Sequence, residues 1–417
     1  MVRVAILATI AVVYTLAGAE SYAQTLNVIR AFSGPDGAFP YSGLTSDGRG
    51  NLYGTTSAGG NTGCSSNLGC GTVFKLSRSG AGWSFTTIYQ FQGNADGWEP
   101  MARVVFGPDG DLYGTTPYGG NESKGTYGYG TVFKLTPPGF GDSSSEWTHS
   151  VLYRFGGGMD GATPGVGDLI FDAAGNIYGT TESGGLVGSS CVISGPRCGV
   201  VFELSPSSHG WTEHVIYSFT GGNDGDLPIG GVVFDPGGNL LGTASEGGAV
   251  GYGTVFELMP SGSGWEEKTL HSFTGNGDGG YPAASLSLDR NTRAFYGGTS
   301  FALPGGGTVF QLTKSAKGYT FQSDYLFPFP DDPSSVITES GSNLYGTTPD
   351  GGSGWGNVFE MIENSGVWEA KIVYNFTGQN DGNSPEGNIL VDSNGNVYGT
   401  TTLSGEYSDG VIYEIMP

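Results

Sequence analysis

The sequence predicts an all-β protein, a seven-bladed β-propeller of four-stranded antiparallel blades, and three observations support that class. A short phrase of the type Asn-Leu-Tyr-Gly-Thr-Thr occurs seven times, with some worn copies, along the 417 residues. Glycine supplies 78 residues and charged residues only 13%, which suits short strands joined by tight turns. The two ends of the chain carry complementary parts of one repeat, so we expect the series to close into a ring.

The repeated phrase sets the size of the unit. Its aligned third positions are separated by steps of 49 to 65 residues, and a repeat of that length indicates one supersecondary unit copied in series. Each unit would bury its apolar faces against its neighbours. We therefore expect 24–417 to form a single domain of seven repeats. The aligned residues are Tyr53, Tyr113, Tyr178, Leu241, Tyr296, Tyr345 and Tyr398.

Four strand signals recur in a fixed order within each repeat. The first is an apolar run such as 104–106, which is typical of a strand covered on both faces. A tight Asp-x-x-Gly-Asn turn follows, as at 172–176, and leads into the Tyr-Gly-Thr-Thr strand. After a loop of variable length come a Gly-Thr-Val-Phe strand, as at 71–76, and a strand with aromatic residues at even spacing, such as Trp147 and Tyr153. Even spacing places these rings on one face, where packing is favoured over a ligand site.

The ends of the chain distinguish an open stack from a ring. The last repeat stops at Pro417, just after its third strand at 410–415, and its fourth strand is missing. The segment 26–32, before the first full repeat, has the pattern of that missing strand. An open solenoid would need capping units, whereas pairing of 26–32 with the last strand removes the exposed edge. We therefore predict that the N-terminal strand closes the ring within the last blade.

Residues 1–23 have the pattern of a signal peptide. A short basic start is followed by an apolar run over 4–18, and small residues then allow cleavage after Ala19 or Ala23. A retained membrane anchor is the alternative, although the run is short for a span. No later segment is apolar enough to cross a bilayer. We therefore expect a secreted or periplasmic protein with no membrane span once the signal is removed.

The charge balance excludes some partners. The formal net charge is −23, from 16 basic and 39 acidic residues. Such a balance argues against nucleic acid, whose phosphates are neutralised by Lys and Arg, and it disfavours an anionic membrane surface. Solubility is one reason for the charge, and cation binding is another. We expect a monomer without a nucleic-acid partner.

Four cysteines form two close pairs, Cys64 with Cys70 and Cys191 with Cys198, at the same place in their repeats. In an exported chain, two local disulfides are the simple interpretation. A metal site is the alternative, but neither loop contains a histidine and the spacing matches no zinc pattern. Each disulfide is expected to stiffen one loop rather than to hold the fold.

These motifs, in this order, resemble the GloVer (Gloeo_Verruco) tandem repeat of bacterial choice-of-anchor repeat proteins. The family pattern is similar to an Asp-Gly-x-x-Pro segment, a hairpin ending in Tyr-Gly-Thr-Thr, a Gly-Gly loop, a Gly-Thr-Val-Phe strand and a Trp-x5-Tyr-x-Phe strand. Nearly all of 24–417 matches. The resemblance implies an exported or surface protein and implies no reaction. Family members often end in an anchoring segment; this chain ends at Pro417 without one, which favours release into the periplasm or medium.

The strand order sorts the loops into two faces. The long loop between the second and third strands lies on the same face as the crossover between blades, and the tight turns lie on the other. Ring folds bind ligands at such loop-rich mouths. Three polar residues, Arg103, Asp168 and Asn388, occupy matching positions four residues before the turn, where other repeats have Gly or Ser. A site on a symmetric ring requires such asymmetry, although drift explains it equally well.

Loop aromatics and crossover acids are further candidates. Tyr129 and Trp355 could stack on sugar rings, or they could pack glycine-rich loops down. The crossovers repeat Asp-Gly-x-x-Pro, which sets a turn and stiffens the entry to the next blade. Their carboxylates could instead bind Ca²⁺, which takes about six to eight oxygens; the richest sets contain Asp224, Asp226 and Asp278. Calcium is the one cofactor that the pattern suggests, and none is firmly indicated.

These features favour an exported, non-catalytic binding or scaffold propeller that contacts a glycan, a peptide or a surface partner through its loop-rich face. One alternative is an extracellular polysaccharide-active enzyme, a lyase or hydrolase at the central mouth. Another is a calcium-stabilised structural ring. No histidine pair has metal-ligand spacing and no nucleophile elbow occurs, so the sequence indicates no catalytic residue.

Overall fold

The computed structural model describes residues 24–64, 68–80, 82–120, 127–139, 146–186, 198–262, 264–328, 330–333, 335 and 337–417. Over these residues, 28 strands form seven four-stranded antiparallel sheets. The sheets are the blades of a ring, which confirms the predicted seven-bladed β-propeller. The one helix within these ranges is a 3-10 turn, Asn94–Asp96. The predicted signal peptide, 1–23, lies outside the described residues.

Six blades follow the chain in order, each from its inner to its outer strand, and the seventh also takes the first strand of the chain. Blade 1 contains β2 (Thr45–Ser46), β3 (Leu52–Thr56), β4 (Thr72–Ser79) and β5 (Gly82–Gln90), and blade 2 contains β6 (Val105–Phe106), β7 (Leu112–Thr116), β8 (Thr131–Thr136) and β9 (Thr148–Arg154). Blade 3 contains β10 (Ile170–Phe171), β11 (Ile177–Thr181), β12 (Val200–Ser207) and β13 (Gly210–Ser218); blade 4 contains β14 (Val233–Phe234), β15 (Leu240–Ala244), β16 (Thr254–Ser261) and β17 (Gly264–Ser272); and blade 5 contains β18 (Ser287–Leu288), β19 (Phe295–Thr299), β20 (Thr308–Ser315) and β21 (Gly318–Leu326). Blade 6 contains β22 (Thr338–Ser340), β23 (Asn343–Thr348), β24 (Asn357–Asn364) and β25 (Val367–Asn375), and blade 7 contains β26 (Leu390–Val391), β27 (Val397–Thr401), β28 (Val411–Met416) and β1 (Thr25–Ala31).

The closure of the ring is as predicted. Strand β1 pairs antiparallel with β28, from Thr25 opposite Met416 to Ala31 opposite Val411. The first and last strands of the domain therefore share one sheet, and neither end leaves a blade incomplete. Closure matters because an unpaired β28 would expose a row of backbone donors and acceptors at a sheet edge.

The tyrosine and glycine of the repeated phrase fix the second strand to its surroundings. In blade 3 the Tyr178 hydroxyl donates to Asp172 of the preceding turn, over 3.2 Å. Gly179 leaves room for an aromatic ring, since a Cβ there would lie 2.7 Å from the ring of Phe202. The phenylalanine of the third strand therefore packs directly on the second strand, and it is fully buried.

The two threonines of the phrase have different partners. The first joins neighbouring blades in four of the seven copies; Thr180, for example, donates to the carbonyl of Gly230 in the next blade, over 3.0 Å. The second joins two strands of its own blade, as where the hydroxyls of Thr116 and Thr131 lie 2.8 Å apart. Both hydroxyls are buried, so each bond also removes the cost of an unpaired polar group.

The first strand of blade 2 is shorter than predicted. The apolar run suggests 104–106, whereas β6 covers Val105–Phe106. The inner strands β10 and β14 likewise have only two residues. The carbonyl of Val104 accepts a hydrogen bond from the Thr45 side chain of blade 1 at 2.5 Å. That bond is a further contact between blades 1 and 2.

The hydrophobic core is divided among the spaces between blades. Seven buried clusters are found, each drawing on two neighbouring blades. Between blades 1 and 2, for example, Tyr53 and Phe91 meet Leu112 and Phe133. Burying each ring of this kind contributes about 1.5–3 kcal/mol. Apolar packing between neighbouring blades therefore holds the ring together, and the residues that line the central axis are not part of these clusters.

The two faces of the ring differ as the strand order predicts. Each outer strand ends, and each third strand begins, on the side where the inner strand begins. We call this side the loop face, because it carries the seven crossovers and the seven loops between second and third strands. The opposite side carries only tight turns and is called the turn face.

Candidate functional site

A ring of seven residues surrounds the axis at the loop-face end of the inner strands. Each stands four residues before its turn, and six of the seven line one cavity of about 160 Å³. The cavity receives residues from all seven blades, and it includes the predicted candidates. The seven positions are Gly43, Arg103, Asp168, Gly231, Ser285, Ser335 and Asn388.

Two of the candidates pair with each other. The Nη2 and Nε atoms of Arg103 both donate to Oδ2 of Asp168, over 2.6 and 3.1 Å. The side chains are 26% and 14% exposed, so the pair is largely withdrawn from solvent and joins blade 2 to blade 3. Asn388 lines the same cavity from blade 7. The structure therefore brings the three candidates together, while their role in binding stays a prediction.

The axial cavity is narrow because backbones of neighbouring blades meet at glycine. A Cβ on Gly387 would lie 2.5 Å from the backbone nitrogen of Gly43, and one on Gly230 would lie 2.7 Å from the carbonyl carbon of Ala284. Ligand pockets usually enclose about 300–1,000 Å³. A cavity of about 160 Å³ suits the end of one side chain or a few waters rather than a chain of sugar rings.

A series of carboxylates and tyrosines begins at this cavity and continues across the loop face. Tyr41 and Glu386 line it, and burial together with the carboxylates of Glu386 and Glu99 raises the pKa of Tyr41. Burial and the carboxylates of Glu99 and Glu182 likewise raise the pKa of Tyr118. We call Glu182, Tyr118, Glu99, Tyr41 and Glu386 the mouth arc.

The three glutamates of the mouth arc are partly buried without compensation. Within the described ranges, the carboxylates of Glu99, Glu182 and Glu386 accept no hydrogen bond and form no ion pair. Burial raises the pKa of Glu182 to about 6. Burial, with Asp350 and Asp332 nearby, raises the pKa of Glu386 to about 7. Desolvation and like charge both disfavour the ionised form, so these groups gain from any cation that approaches.

Sequence reasoning missed these glutamates. Each is unique in its column of the repeat: Glu182 follows the second threonine, where other repeats have Ser, Pro or Thr, and Glu386 follows the crossover proline. The non-repeated acid was the available signal. The predicted asymmetric candidates all stand four residues before the turn, and these glutamates stand elsewhere in the repeat.

The loop face is strongly acidic. Where they are described, its crossovers and long loops contain 17 acidic residues and a single basic one, Arg103, which Asp168 already neutralises. Basic residues such as Arg49, Arg290 and Lys317 lie in turns of the opposite face. The acidic residues are Asp36, Asp96, Glu99, Asp160, Asp168, Glu182, Asp224, Asp226, Glu246, Asp278, Asp331, Asp332, Asp350, Asp381, Glu386, Glu406 and Asp409.

The same face exposes large apolar side chains. Of 15 such side chains in the described part of the chain, ten belong to the loop face, and every one of its seven long loops contributes at least one. The ten are Leu68, Tyr127, Met159, Leu186, Val250, Tyr281, Leu303, Trp355, Leu403 and Tyr407.

The predicted aromatic candidates occupy a position that also serves packing. The ring of Tyr129 covers Gly157 of the next crossover, and that of Trp355 covers Gly378, so that a Cβ on either glycine would collide with the ring. Trp355 nevertheless remains 42% exposed. Packing of the loops and exposure to a ligand are therefore compatible at Trp355.

Cysteine replaces the aromatic residue at this position in two repeats. Cys70 forms a disulfide with Cys64, as predicted, and the bond lies against Gly93, the equivalent of Gly157. The disulfide in blade 1 thus packs against the crossover glycine in the same place as the aromatic ring in other repeats. Cys198 holds the same place in blade 3 and is buried; its predicted partner Cys191 lies outside the described residues.

The candidate calcium ligands take part in the crossover turns. Asp224 accepts hydrogen bonds from the Tyr217 hydroxyl at 3.0 Å and from the Thr220 amide at 2.7 Å, and Asp278 holds its own turn in the same way. Asp226 is 3% exposed. No group of three or more His, Cys, Asp or Glu suited to a metal ion occurs in the described ranges. Calcium binding stays a prediction, whereas the hydrogen bonds by which these aspartates hold the crossover turns are seen in the structure.

The fold and this axial arrangement define a seven-bladed propeller with a loop-lined mouth. The family model of the Gloeobacter/Verrucomicrobia repeat matches residues 9–194 and 193–413. The chain therefore belongs to the Gloeobacter/Verrucomicrobia repeat family, and the resemblance read from the motifs is confirmed. No curated protein matches the chain.

Solved structures share the fold at low identity. The periplasmic gluconolactonase of Pseudomonas aeruginosa has a TM-score of 0.51 and 13% identity, over 80% of this chain and 84% of that one. The GH74 xyloglucanase of Xanthomonas campestris has a TM-score of 0.50 and 13% identity, over 91% of this chain and 52% of that one. At such identity the likeness concerns the fold alone. Among the described residues, no helix is long and apolar enough to span a membrane.

Proposed function

We propose that this protein is an exported, non-catalytic binding propeller that docks a partner on its loop face. One observation carries the proposal: each of the seven long loops presents an exposed large apolar side chain on that face. Ten of the 15 exposed large apolar side chains in the described part of the chain lie on this one face, and loops carried by a rigid scaffold are a common place for binding residues. Export is supported by the predicted signal at 1–23 and by the disulfide Cys64–Cys70.

The division between scaffold and loops supports the same function. Hydrogen bonds of the repeated phrase join neighbouring blades in four of the seven copies, through Thr55, Thr180, Thr243 and Thr400. The long loops vary in length and sequence, and they rest on the crossovers through residues such as Trp355. Variable loops on a rigid scaffold are a common arrangement for recognition.

The test is binding of the mature chain, 24–417, to glycan and peptide arrays. The informative variant is Trp355→Ala with Tyr407→Ala, because these rings are 42% and 54% exposed on the loop face. The control is Val367→Ala, which removes a still more exposed apolar side chain, 62% exposed, from the turn face. The proposal expects at least a tenfold loss of affinity in the loop-face variant and less than a twofold change in the control. Loss in the control alone would overturn it.

An enzyme acting at the mouth is the second candidate. The observation that favours it is a pair of carboxyls, Glu386 and Asp332, whose pKa values burial and nearby carboxylates raise to about 7. A general acid at neutral pH needs such a pKa. Assays on neutral and acidic polysaccharides with the mature chain, Glu386→Gln and Asp168→Ala would test this. Turnover that Glu386→Gln leaves unchanged would remove Glu386 from consideration.

A further inference from the structure

We propose that the partner of the loop face is a basic polypeptide, and that one of its lysine or arginine side chains enters the mouth arc. This inference rests on the proposed function and names the chemistry of the partner. It is carried by three observations: the charge of the face, the uncompensated glutamates of the mouth arc, and the aromatic side chains beside them.

Charge is the first observation. The described crossovers and long loops contain 17 acidic residues, and their one basic residue, Arg103, is held by Asp168. Arg30 of β1 also pairs with Asp36 at the rim of the face, and the other carboxylates in the described crossovers and long loops form no ion pair with a lysine or arginine of the described residues. A surface of one sign attracts partners of the other and raises their rate of association. The turn face, with Arg49, Arg290 and Lys317, lacks this preference.

The mouth arc is the second observation. Glu99, Glu182 and Glu386 are neither fully solvated nor paired with a described residue. Bringing a neutral sugar over them would remove more water without supplying an opposite charge, and this desolvation costs free energy. A lysine ammonium or an arginine guanidinium supplies both the charge and the donors that the carboxylates lack. The size of the cavity, about 160 Å³, also suits one side chain.

Aromatic rings beside the glutamates are the third observation. Tyr118 of the mouth arc stacks on Trp98 with ring centres 4.7 Å apart, and Tyr127 lies 6.2 Å from Tyr118. Tyr127 is 55% exposed. Cations bind over aromatic faces, and arginine stacks on them best. Carboxylates next to such rings form a site that holds both the charge and the apolar stem of a long basic side chain.

The test is isothermal titration of the mature chain with hexa-arginine and hexalysine peptides at pH 7.5, with hexaglutamate and a neutral hexasaccharide as comparison ligands. The variant is Glu99→Gln, Glu182→Gln and Glu386→Gln together. The matched control is Glu266→Gln, Glu363→Gln and Glu369→Gln, which removes the same charge from exposed positions of β17, β24 and β25. We expect a loss of at least tenfold in affinity for the basic peptides in the first variant and less than threefold in the second. Thermal melts of both variants check that they fold.

Proton release provides a second readout. Glu386 faces Tyr41, Asp332 and Asp350, with the Arg103–Asp168 pair across the cavity, and Glu182 faces Tyr118. A bound cation favours the ionised carboxylates, so binding at pH 6.5 should release protons. The heat should then depend on the ionisation enthalpy of the buffer for the mature chain and not for the mouth-arc variant.

The outcomes separate the two proposals. Equal losses in both charge variants, or no binding of either basic peptide, would overturn the basic partner. A hexasaccharide that binds and is weakened by Trp355→Ala with Tyr407→Ala would overturn it too, while leaving loop-face binding intact. Array hits that depend on Val367 and on no loop-face residue would instead overturn the proposed function itself.

Discussion

Tyr413 offers a test of how the blades are packed. It occupies in blade 7 the position that phenylalanine holds in the other six blades. Its side chain is 0% exposed, and its hydroxyl forms no hydrogen bond with a described residue. The ring lies on Gly399 as that of Phe359 lies on Gly346 in blade 6. We therefore expect Tyr413→Phe to stabilise the protein.

The size of the effect follows from these contacts. A buried hydroxyl without a partner costs about 1–3 kcal/mol. Removing it leaves a void the size of one oxygen, which costs a few tenths of a kcal/mol at about 24 cal/mol per Å³. The free energy of unfolding should rise by about 1–2 kcal/mol. With an unfolding entropy of about 2.1 cal/mol/K per residue over 24–417, Tm should rise by about 2 °C.

Scanning calorimetry and urea unfolding of the mature chain would measure both quantities. The reciprocal variant, Phe359→Tyr, places a hydroxyl at the same site of blade 6 and should lower the free energy of unfolding by about 1–3 kcal/mol. If Tyr413→Phe instead lowers it by more than about 0.5 kcal/mol, the reasoning is wrong. The hydroxyl would then have a partner of its own, such as a buried water.

Three further predictions concern pH, the disulfide and calcium. The raised pKa values of Glu182 and Glu386, about 6 and about 7, mean that the folded protein binds more protons than the unfolded chain between about pH 4.5 and 7. The free energy of unfolding should therefore fall as pH rises through that window, and Glu386→Gln should flatten the slope in urea unfolding at pH 5, 6 and 7; a slope of opposite sign would contradict this. The double variant Cys64→Ser with Cys70→Ser removes a short cross-link and should lower the free energy of unfolding by about 2 kcal/mol, which corresponds to a Tm lower by about 2–3 °C. If the variant were unfolded altogether, the disulfide would do more than stiffen one loop. Because Asp224 and Asp278 accept hydrogen bonds from their own turns, a melt in excess EGTA should match one in calcium, and a Tm lowered by more than about 3 °C would restore the calcium hypothesis.

The fold was predictable because each repeated residue has a repeated environment. The glycine of the Tyr-Gly-Thr-Thr phrase recurs because a phenylalanine ring lies on it, as Phe202 lies on Gly179. Its first threonine has a carbonyl of the next blade as its partner in four copies, as Thr180 has Gly230, whereas the hydroxyls of Thr115 and Thr347 have no partner among the described residues. A pattern that has the same physical cause in most copies can be read without coordinates. The strand ends were less predictable, since β6 covers Val105–Phe106 where the apolar run covers 104–106.

The candidate site was predictable only in part. Register alone places Arg103, Asp168 and Asn388 at one end of the axis, because equivalent residues of a ring converge there. It does not say that Arg103 and Asp168 pair, since this depends on side-chain conformations. The burial of Glu182 depends on its contact with Gly165, a residue 17 positions earlier in the chain. No local pattern reports such a contact.

Repetition also separates the residues that hold the ring from those available to a partner. A carboxylate at a repeated position, such as Asp224, has donors in its own turn and in the neighbouring strand, because the repeat supplies them each time. A carboxylate that breaks the repeat, such as Glu182 or Glu386, has no such donors and remains partly buried without a partner among the described residues. Since an unpaired buried charge costs free energy, retaining several of them beside one opening is a net cost to folding. Binding of a cation at that opening would offset the cost, and it would do so on the loop face alone.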